Sequence, residues 1–260
     1  MTTISTLDRA CVVMTTGVKG GIGKSVTASL FVDYFSRLRG LKTVVVNCDA
    51  KITTIEKAYR ELDSDKVQVL SRPLFDDRTY ETILRDIDEI WTSWRDKGGQ
   101  EEGKPRLVVD MPGQNEGMQH LEFVNILVEE YGAAILWLMA PDAACVEALS
   151  TALSGGMYKP VPTMPGIELR PGIHDEAMMN QWLTSRVRKE YGYENKNEFW
   201  VERLPENLLQ PLKENEWSVQ AIVERRHPFV TSLTSRSFGN YMNRFAERVA
   251  KVEVELSEPR

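Results

Sequence analysis

The segment from residue 19 to residue 25, Lys-Gly-Gly-Ile-Gly-Lys-Ser, combines residue types that suit phosphate binding. Its glycines predict a turn between a buried strand and a helix, in which backbone N–H groups approach phosphate oxygens closely. We expect the ammonium group of Lys24 to reach the β- and γ-phosphates of a nucleotide and the Ser25 hydroxyl to coordinate Mg²⁺. The predicted nucleotide-binding residues of this loop are Gly20, Gly21, Ile22, Gly23, Lys24, Ser25 and Val26.

The loop departs at one position from the strict pattern G-x-x-x-x-G-K-S/T, which would place a glycine where the chain has Val18. It matches K-G-G-x-G-K-S/T instead, and in these residues the chain resembles the deviant Walker A ATPases of the ParA/MinD family. Six specified positions would match by chance about once in 10⁷ placements. The weaker alternative is a glycine turn that only caps a helix.

In the ParA/MinD family the first lysine of this pattern, here Lys19, reaches the nucleotide of a partner subunit. The resemblance therefore implies an ATP-dependent homodimer in which ATP lies between two subunits. It also implies that Lys19 and Lys24 both contribute to catalysis, with ATP or ADP and Mg²⁺ as the bound cofactors.

Asp49 follows the apolar run 44–48 and looks like the second aspartate of the family's switch I pattern, D-x-D-P-Q. The resemblance implies a catalytic carboxylate that orients the attacking water or holds Mg²⁺. The first aspartate of the pattern is replaced by Asn47, and Pro-Gln is replaced by Ala50 and Lys51. We expect these departures to affect hydrolysis more than nucleotide binding.

Asp110 ends the apolar run 107–109 and looks like the acidic residue of the family's Walker B and switch II segment. A carboxylate at the carboxyl end of a strand lies where open α/β sheets bind their ligands, so Asp110 is predicted to contact Mg²⁺. Further along, residues 199–205 resemble the strand that leads to the family's adenine pocket, which implies Leu204 and Pro205 as base contacts. The resemblance covers residues 11–140 well and the remainder poorly.

Apolar runs and helical periodicity predict alternating strands and helices around these residues. The predicted strands are residues 11–16, 43–48, 106–110, 133–139 and 199–201. The predicted helices are residues 25–35, 80–94, 117–131, a segment after 141, and residues 175–191 and 241–254. This alternation predicts an α/β fold with a doubly wound, mostly parallel sheet and helices on both faces. We expect a single P-loop domain over residues 1–260, with an irregular Pro/Gly-rich excursion near 155–173.

The composition is that of a folded protein with 260 residues and a net charge of −6. No apolar run approaches the ~18 residues of a membrane span, and the acidic segment 253–258 argues against a membrane anchor at the end of the chain. The three cysteines are far apart and form no zinc or iron–sulfur pattern. We therefore predict a cytoplasmic protein. The resemblance to the ParA/MinD family implies that it is bacterial and leaves association with the nucleoid open.

Three basic clusters have two interpretations: they form solvated helix faces, or they contact the phosphates of non-specific DNA. They are Arg186 with Arg188 and Lys189, the run 225–227, and Arg244 with Arg248 and Lys251. The resemblance favours a ParA-like ATPase with a dedicated partner protein, acting in plasmid partition, plasmid stabilisation or conjugative transfer. The alternatives are a P-loop metabolic enzyme for phosphotransfer or ligation, and a nucleotide-binding interaction protein with little hydrolysis.

Overall fold

The computed structural model describes residues 2–18, 21–50, 54–60, 66–74, 77–100, 103–113, 120–140, 142–167, 180–213 and 217–257. Its strands are β1 (Thr2–Thr6), β2 (Val12–Thr16), β3 (Thr43–Asn47), β4 (Val67–Ser71), β5 (Arg106–Asp110), β6 (Ala133–Leu138), β7 (Val161–Ile167), β8 (Phe199–Glu202) and β9 (Glu253–Ser257).

Most of the helices lie between consecutive strands. They are α1 (Lys24–Asp33), α2 (Thr54–Arg60), α3 (Asp77–Asp96), α4 (Leu121–Tyr131), α5 (Ala143–Ser154), α6 (Asn180–Leu183), α7 (Arg186–Glu190), α8 (Glu206–Lys213), α9 (Val219–Val223) and α10 (Ser232–Val249). A π-helical turn, Tyr34–Leu38, continues α1. Among the described residues, no helix is both long and apolar enough to cross a membrane.

Seven strands form one sheet in the order β4-β3-β5-β2-β6-β7-β8, and all its neighbouring pairs are parallel. The carboxyl ends of all seven strands therefore meet at one edge. At that edge Asp110 of β5 is in register with Thr15 on one side and with Asn47 on the other. β1 and β9 form a separate antiparallel ribbon.

Alternate residues of the strands face two apolar cores. Val13, Val45 and Val108 belong to a core that α1, α2, α8, α9 and α10 cover. Their neighbours Val12 and Val44 belong to a second core, covered by α3 to α7. Parallel sheets need helices on both faces because both faces are apolar, and the predicted α/β fold with a doubly wound sheet is confirmed.

The region predicted to be irregular contains a strand, β7, between β6 and β8. Prolines argued against a strand there, because proline cannot donate to the ladder. In the structure Pro162 is in register with Trp137 of β6, and the register of β7 and β8 shifts between Pro165 and Ile167. Residues 168–173 of the predicted excursion lie outside the described residues.

Two predicted helices were wrong in their bounds. The last one runs from Ser232 to Val249 rather than over 241–254, and residues 253–257 form β9. The helix predicted over 175–191 is divided in its described part into α6 and α7, because Ser185 caps a new helix by accepting from the N–H of Arg188. Strands β1 and β4 and helices α2, α8 and α9 were not predicted at all.

Candidate functional site

The chain turns out of β2 at Gly17, which has φ 152°. A Cβ at this position would lie 2.9 Å from the carbonyl oxygen of Leu138 and 3.1 Å from Cδ1 of Ile22. Only glycine fits such a close approach of two backbones. Val18 packs against the second core, so the glycine that the loop needs before its lysines is at position 17 rather than 18.

The other described glycines of the loop lead directly into α1. Gly21 and Gly23 have φ of 77° and 96°, values that favour glycine. Gly23 is the N-cap of α1, and its carbonyl oxygen accepts from the N–H of Thr27 at 2.8 Å. A helix N-terminus that follows a glycine turn favours an anion, because its N–H groups and its dipole are positive there. Lys19 and Gly20, both predicted site residues, lie outside the described residues.

Lys24, the first residue of α1, is buried although it carries a charge: its exposed fraction is 5%. Burial lowers the pKa of Lys24, whereas the nearby carboxylates of Asp110 and Asp49 act to raise it. The structure therefore brings together this lysine and both predicted carboxylates. The ammonium group compensates their negative charge in a site that water reaches poorly.

Asp110, at the end of β5, is completely buried. Its Oδ1 accepts from the hydroxyl of Thr15 at 2.9 Å, and the side chain of Ser25 also hydrogen-bonds to it. Its Oδ2 has no hydrogen-bond partner among the residues that the structure describes. Burial raises the pKa of Asp110 to about 6, although the bonds from Ser25 and Thr15 and the charge of Lys24 oppose the rise.

Asp49 is the second residue after β3 and is also buried, with an exposed fraction of 7%. Its backbone is held by the side chain of Asn47, whose Oδ1 accepts from the N–H of Asp49 at 3.2 Å. Between these two residues lies Cys48, whose thiol has its pKa raised mainly by burial and further by Asp110 and Asp49. A buried thiol of this kind is unreactive.

A cavity of about 270 Å³ adjoins the loop. One side is formed by Gly21, Ile22 and Gly23 of the loop and by Val26 of α1. The other side is formed by residues 201–204 after β8, by Leu209 and by Tyr241 of α10, with Met139 and Ala140 at the end of β6. Gly21, Ile22, Gly23 and Val26 of the predicted nucleotide-binding residues thus line one cavity with Leu204.

Pro205 has a different role in the structure from its predicted neighbour Leu204. Its carbonyl oxygen accepts from the N–H groups of Leu208 and Leu209, at 2.8 and 2.9 Å. It therefore starts α8, which carries Leu209 to the cavity wall. Sequence reasoning missed Thr15 and Tyr241, because their contribution depends on the pairing of β2 with β5 and on the path of α10.

The residues of the site fit a nucleotide with Mg²⁺. Magnesium prefers hard oxygen ligands, and the buried Oδ2 of Asp110 lies in the same cluster as the Ser25 hydroxyl. The glycine turn and the start of α1 suit phosphates, and the largely apolar cavity beside them suits a base. In such an arrangement Ser25, Asp49 and Asp110 can hold the metal, and Lys24 can meet the phosphates.

Several arginines of the basic clusters are engaged in ion pairs of the fold. Arg186 pairs with Glu190, and Arg226 pairs with Glu224, each at 2.5 Å. Others are Arg188 with Glu198, at 2.5 Å, and Arg244 with Glu202, at 2.8 Å. Arg248 donates to the carbonyl oxygen of Trp200 at 2.7 Å. These contacts are in keeping with the first interpretation, in which the basic clusters lie on solvated helix faces.

Replacing Arg188 with alanine is expected to lower the free energy of unfolding by about 3 kcal/mol. The carboxylate of Glu198 is fully buried and would lose its pairing with the Arg188 guanidinium. It would keep the neutral hydrogen bonds from the Nε1 groups of Trp182 and Trp200. Chemical denaturation measures the change. In the matched control Lys189→Ala, an exposed neighbour on the same helix is removed, with an expected change below about 0.5 kcal/mol. Equal stability of the two variants would contradict this role of Arg188.

The fold and the loop define this chain as an α/β protein of the P-loop class. No family model matches the sequence, and no curated protein matches it. Solved structures do match. One is the MinC:MinD cell division protein complex of Aquifex aeolicus, with a TM-score of 0.53 and 13% identity over 92% of this chain and 96% of that chain. Another is MinD of the same organism, also with a TM-score of 0.53 and 13% identity, over 92% and 98%. The chain therefore has the fold of MinD, which confirms the fold implied by the resemblance to the ParA/MinD family.

Proposed function

We propose that this chain is a cytoplasmic, Mg²⁺-dependent ATPase of the ParA/MinD type, built as a single domain. The observation that carries the proposal is the meeting of Lys24, Ser25, Asp49 and Asp110 at one edge of the sheet, beside a cavity that the glycine loop lines. Three separate segments of the chain supply these residues. A glycine turn that only capped a helix would need neither the buried lysine nor two buried carboxylates around it.

Each residue has a role in this proposal. Lys24 and the backbone N–H groups of the loop bind the phosphates, and Leu204 with Tyr241 contacts the base. Asp49 orients the water that attacks the γ-phosphorus, so that the bond to the β-phosphate oxygen breaks and ADP leaves. Mg²⁺, held by Ser25, Asp49 and Asp110, neutralises the negative charge of the phosphates when it is bound.

The proposed cycle is a switch in which ATP joins two subunits and hydrolysis separates them. Lys19 of each subunit contacts the nucleotide of the other, as the sequence resemblance implies. A dedicated partner protein stimulates an otherwise slow turnover, and the role served is plasmid partition, plasmid stabilisation or conjugative transfer. The MinD structure in complex with MinC, which has the same fold, is in keeping with a partner protein.

The test is the solution mass of the purified protein with ATP, with ADP and without nucleotide. We expect a dimer with ATP and Mg²⁺ and a monomer otherwise. In Lys19→Ala the dimer is lost, while ADP affinity stays within about threefold of the wild type because Lys24 still binds the phosphates within its own subunit. Lys97→Ala, which removes an exposed lysine just after the end of α3, is the control variant.

The outcomes separate the alternatives. Dimerisation that does not depend on Lys19, together with phosphate transfer to a small molecule, would favour a metabolic enzyme on the same fold. Nucleotide binding without ADP formation would favour an interaction protein. Absence of affinity for ATP and ADP in the presence of Mg²⁺ would overturn the proposal as a whole. Non-specific DNA contact stays a prediction, which filter binding over a range of salt concentrations measures.

A further inference from the structure

Asn47 is the last residue of β3, and its side chain is completely buried. Its carboxamide contacts both backbone groups of Asp49. Oδ1 accepts from the N–H at 3.2 Å, and Nδ2 donates to the carbonyl oxygen at 3.4 Å. Asparagine forms such local rings with the backbone two residues ahead. The side chain therefore fixes the direction in which the chain leaves the sheet.

The backbone before Asp49 is held by β5 and by the segment that follows β4. The N–H of Cys48 donates to the carbonyl oxygen of Asp110 at 2.9 Å, and the N–H of Arg72 donates to that of Asn47 at 2.8 Å. The N–H of Leu74 donates to the carbonyl oxygen of Cys48 at 3.1 Å. These contacts fix the backbone as far as Cys48. The carboxamide of Asn47 then fixes the backbone of the next residue, Asp49, whose carboxylate lies near Lys24.

The chemistry of the contact requires an amide. An ionised carboxylate at position 47 has acceptors only, so it could still accept from the N–H of Asp49 but would repel its carbonyl oxygen. It would also add a third buried negative charge next to Asp49 and Asp110, to which the described part of the chain brings Lys24 as a nearby cation. An apolar side chain would leave both backbone groups of Asp49 without these bonds.

We propose that Asn47 is a positioning residue for ATP hydrolysis, whose neutral carboxamide sets the backbone of Asp49 and so aims that carboxylate at the phosphate site. The inference rests on the proposed ATPase function. It gives the departure of this chain from the switch I pattern D-x-D a physical meaning. Asparagine removes one negative charge and gains the donor that holds Asp49.

The kinetic test compares Asn47→Ala and Asn47→Asp with a matched control, Thr43→Val. Thr43 begins the same strand, is also fully buried, and donates to the carbonyl oxygen of Leu41 at the end of β3 away from the site. We expect kcat for ATP hydrolysis to fall about 10- to 100-fold in both Asn47 variants, because misplacing a catalytic group by about 1 Å can lower the rate about 100-fold. KM for ATP should stay within about threefold, and Thr43→Val should change neither constant beyond that.

A second readout needs no nucleotide. Hydrogen exchange of the nucleotide-free protein, followed over the segment 47–50, should be about tenfold faster in Asn47→Ala than in the wild type or Thr43→Val. If both Asn47 variants hydrolyse ATP at the wild-type rate, this inference alone is overturned. The same holds if Asn47→Ala leaves the rate of hydrogen exchange over the segment 47–50 unchanged. A wild-type protein that binds ATP but shows no hydrolysis with any partner would overturn the proposed ATPase function and this role of Asn47 together.

Discussion

Replacing Lys24 with methionine is expected to lower the affinity for ATP and ADP on the order of 100- to 1,000-fold, and to reduce hydrolysis to background. Methionine keeps most of the volume of the side chain but removes the ammonium group. The variant thus loses the direct contact with the phosphates. It also leaves the buried carboxylates of Asp49 and Asp110 without the cation that compensates them, so the site becomes negative and repels the ligand.

Isothermal titration with ADP and phosphate release from ATP measure the effect of Lys24→Met. Lys159→Met is the matched control, because Lys159 is also partly buried and paired, with Glu255 at 3.5 Å, but precedes β7 at the opposite edge of the sheet. This control should bind ADP as the wild type does. If Lys24→Met retained ADP affinity within about fivefold, the loop would not be the phosphate site.

Replacing Asp110 with asparagine is expected to lower ATP hydrolysis about 100-fold or more and to remove the effect of Mg²⁺ on nucleotide affinity. Asparagine preserves the shape of the side chain and an oxygen that can accept from Thr15. It removes the charge with which the buried carboxylate would hold the metal. Binding of ADP with and without Mg²⁺ distinguishes this effect from a general loss of the site, because metal-free affinity should be retained.

The same substitution should stabilise the nucleotide-free protein at neutral pH. Burial raises the pKa of Asp110 from 3.8 to about 6, so the folded protein binds this proton between these values and the unfolded chain does not. The stability of the wild type therefore falls as the pH rises through this window, by about 3 kcal/mol in all. Asp110→Asn lacks this loss and should be the more stable protein at pH 8.

Thermal unfolding at pH 4 and pH 8 measures this pH dependence. The advantage of Asp110→Asn should shrink towards pH 4, where Asp110 of the wild type is protonated in the folded state. Asp96→Asn, which changes an exposed aspartate at the end of α3, should follow the wild type at both values. An Asp110→Asn variant that is less stable than the wild type at pH 8 would contradict the proposed cost of burying this carboxylate.

Much of the fold could be predicted because its signals are local. Apolar runs predicted β2, β3, β5 and β6 to within a residue. Helical periodicity predicted α3, with Ile83, Ile87 and Trp91 on its buried side. β7 was missed because its prolines and glycine are typical of a loop, whereas in the structure this segment pairs with both β6 and β8. β4 was missed as well, since its short sequence, Val-Gln-Val-Leu-Ser, becomes a strand by pairing with β3.

The sequence by itself determined the phosphate loop, since its glycines, lysine and serine lie at fixed spacing within one short segment. It also placed Asp49 and Asp110 after apolar runs. Only the tertiary structure decided that these carboxylates lie near Lys24 and that Thr15 bonds to Asp110. It also decided that Tyr241 of α10, far along the chain from the glycine loop, lines the cavity beside that loop. The reason is physical: strand order and helix packing bring these groups together, and both depend on burying the two faces of the sheet rather than on any local spacing.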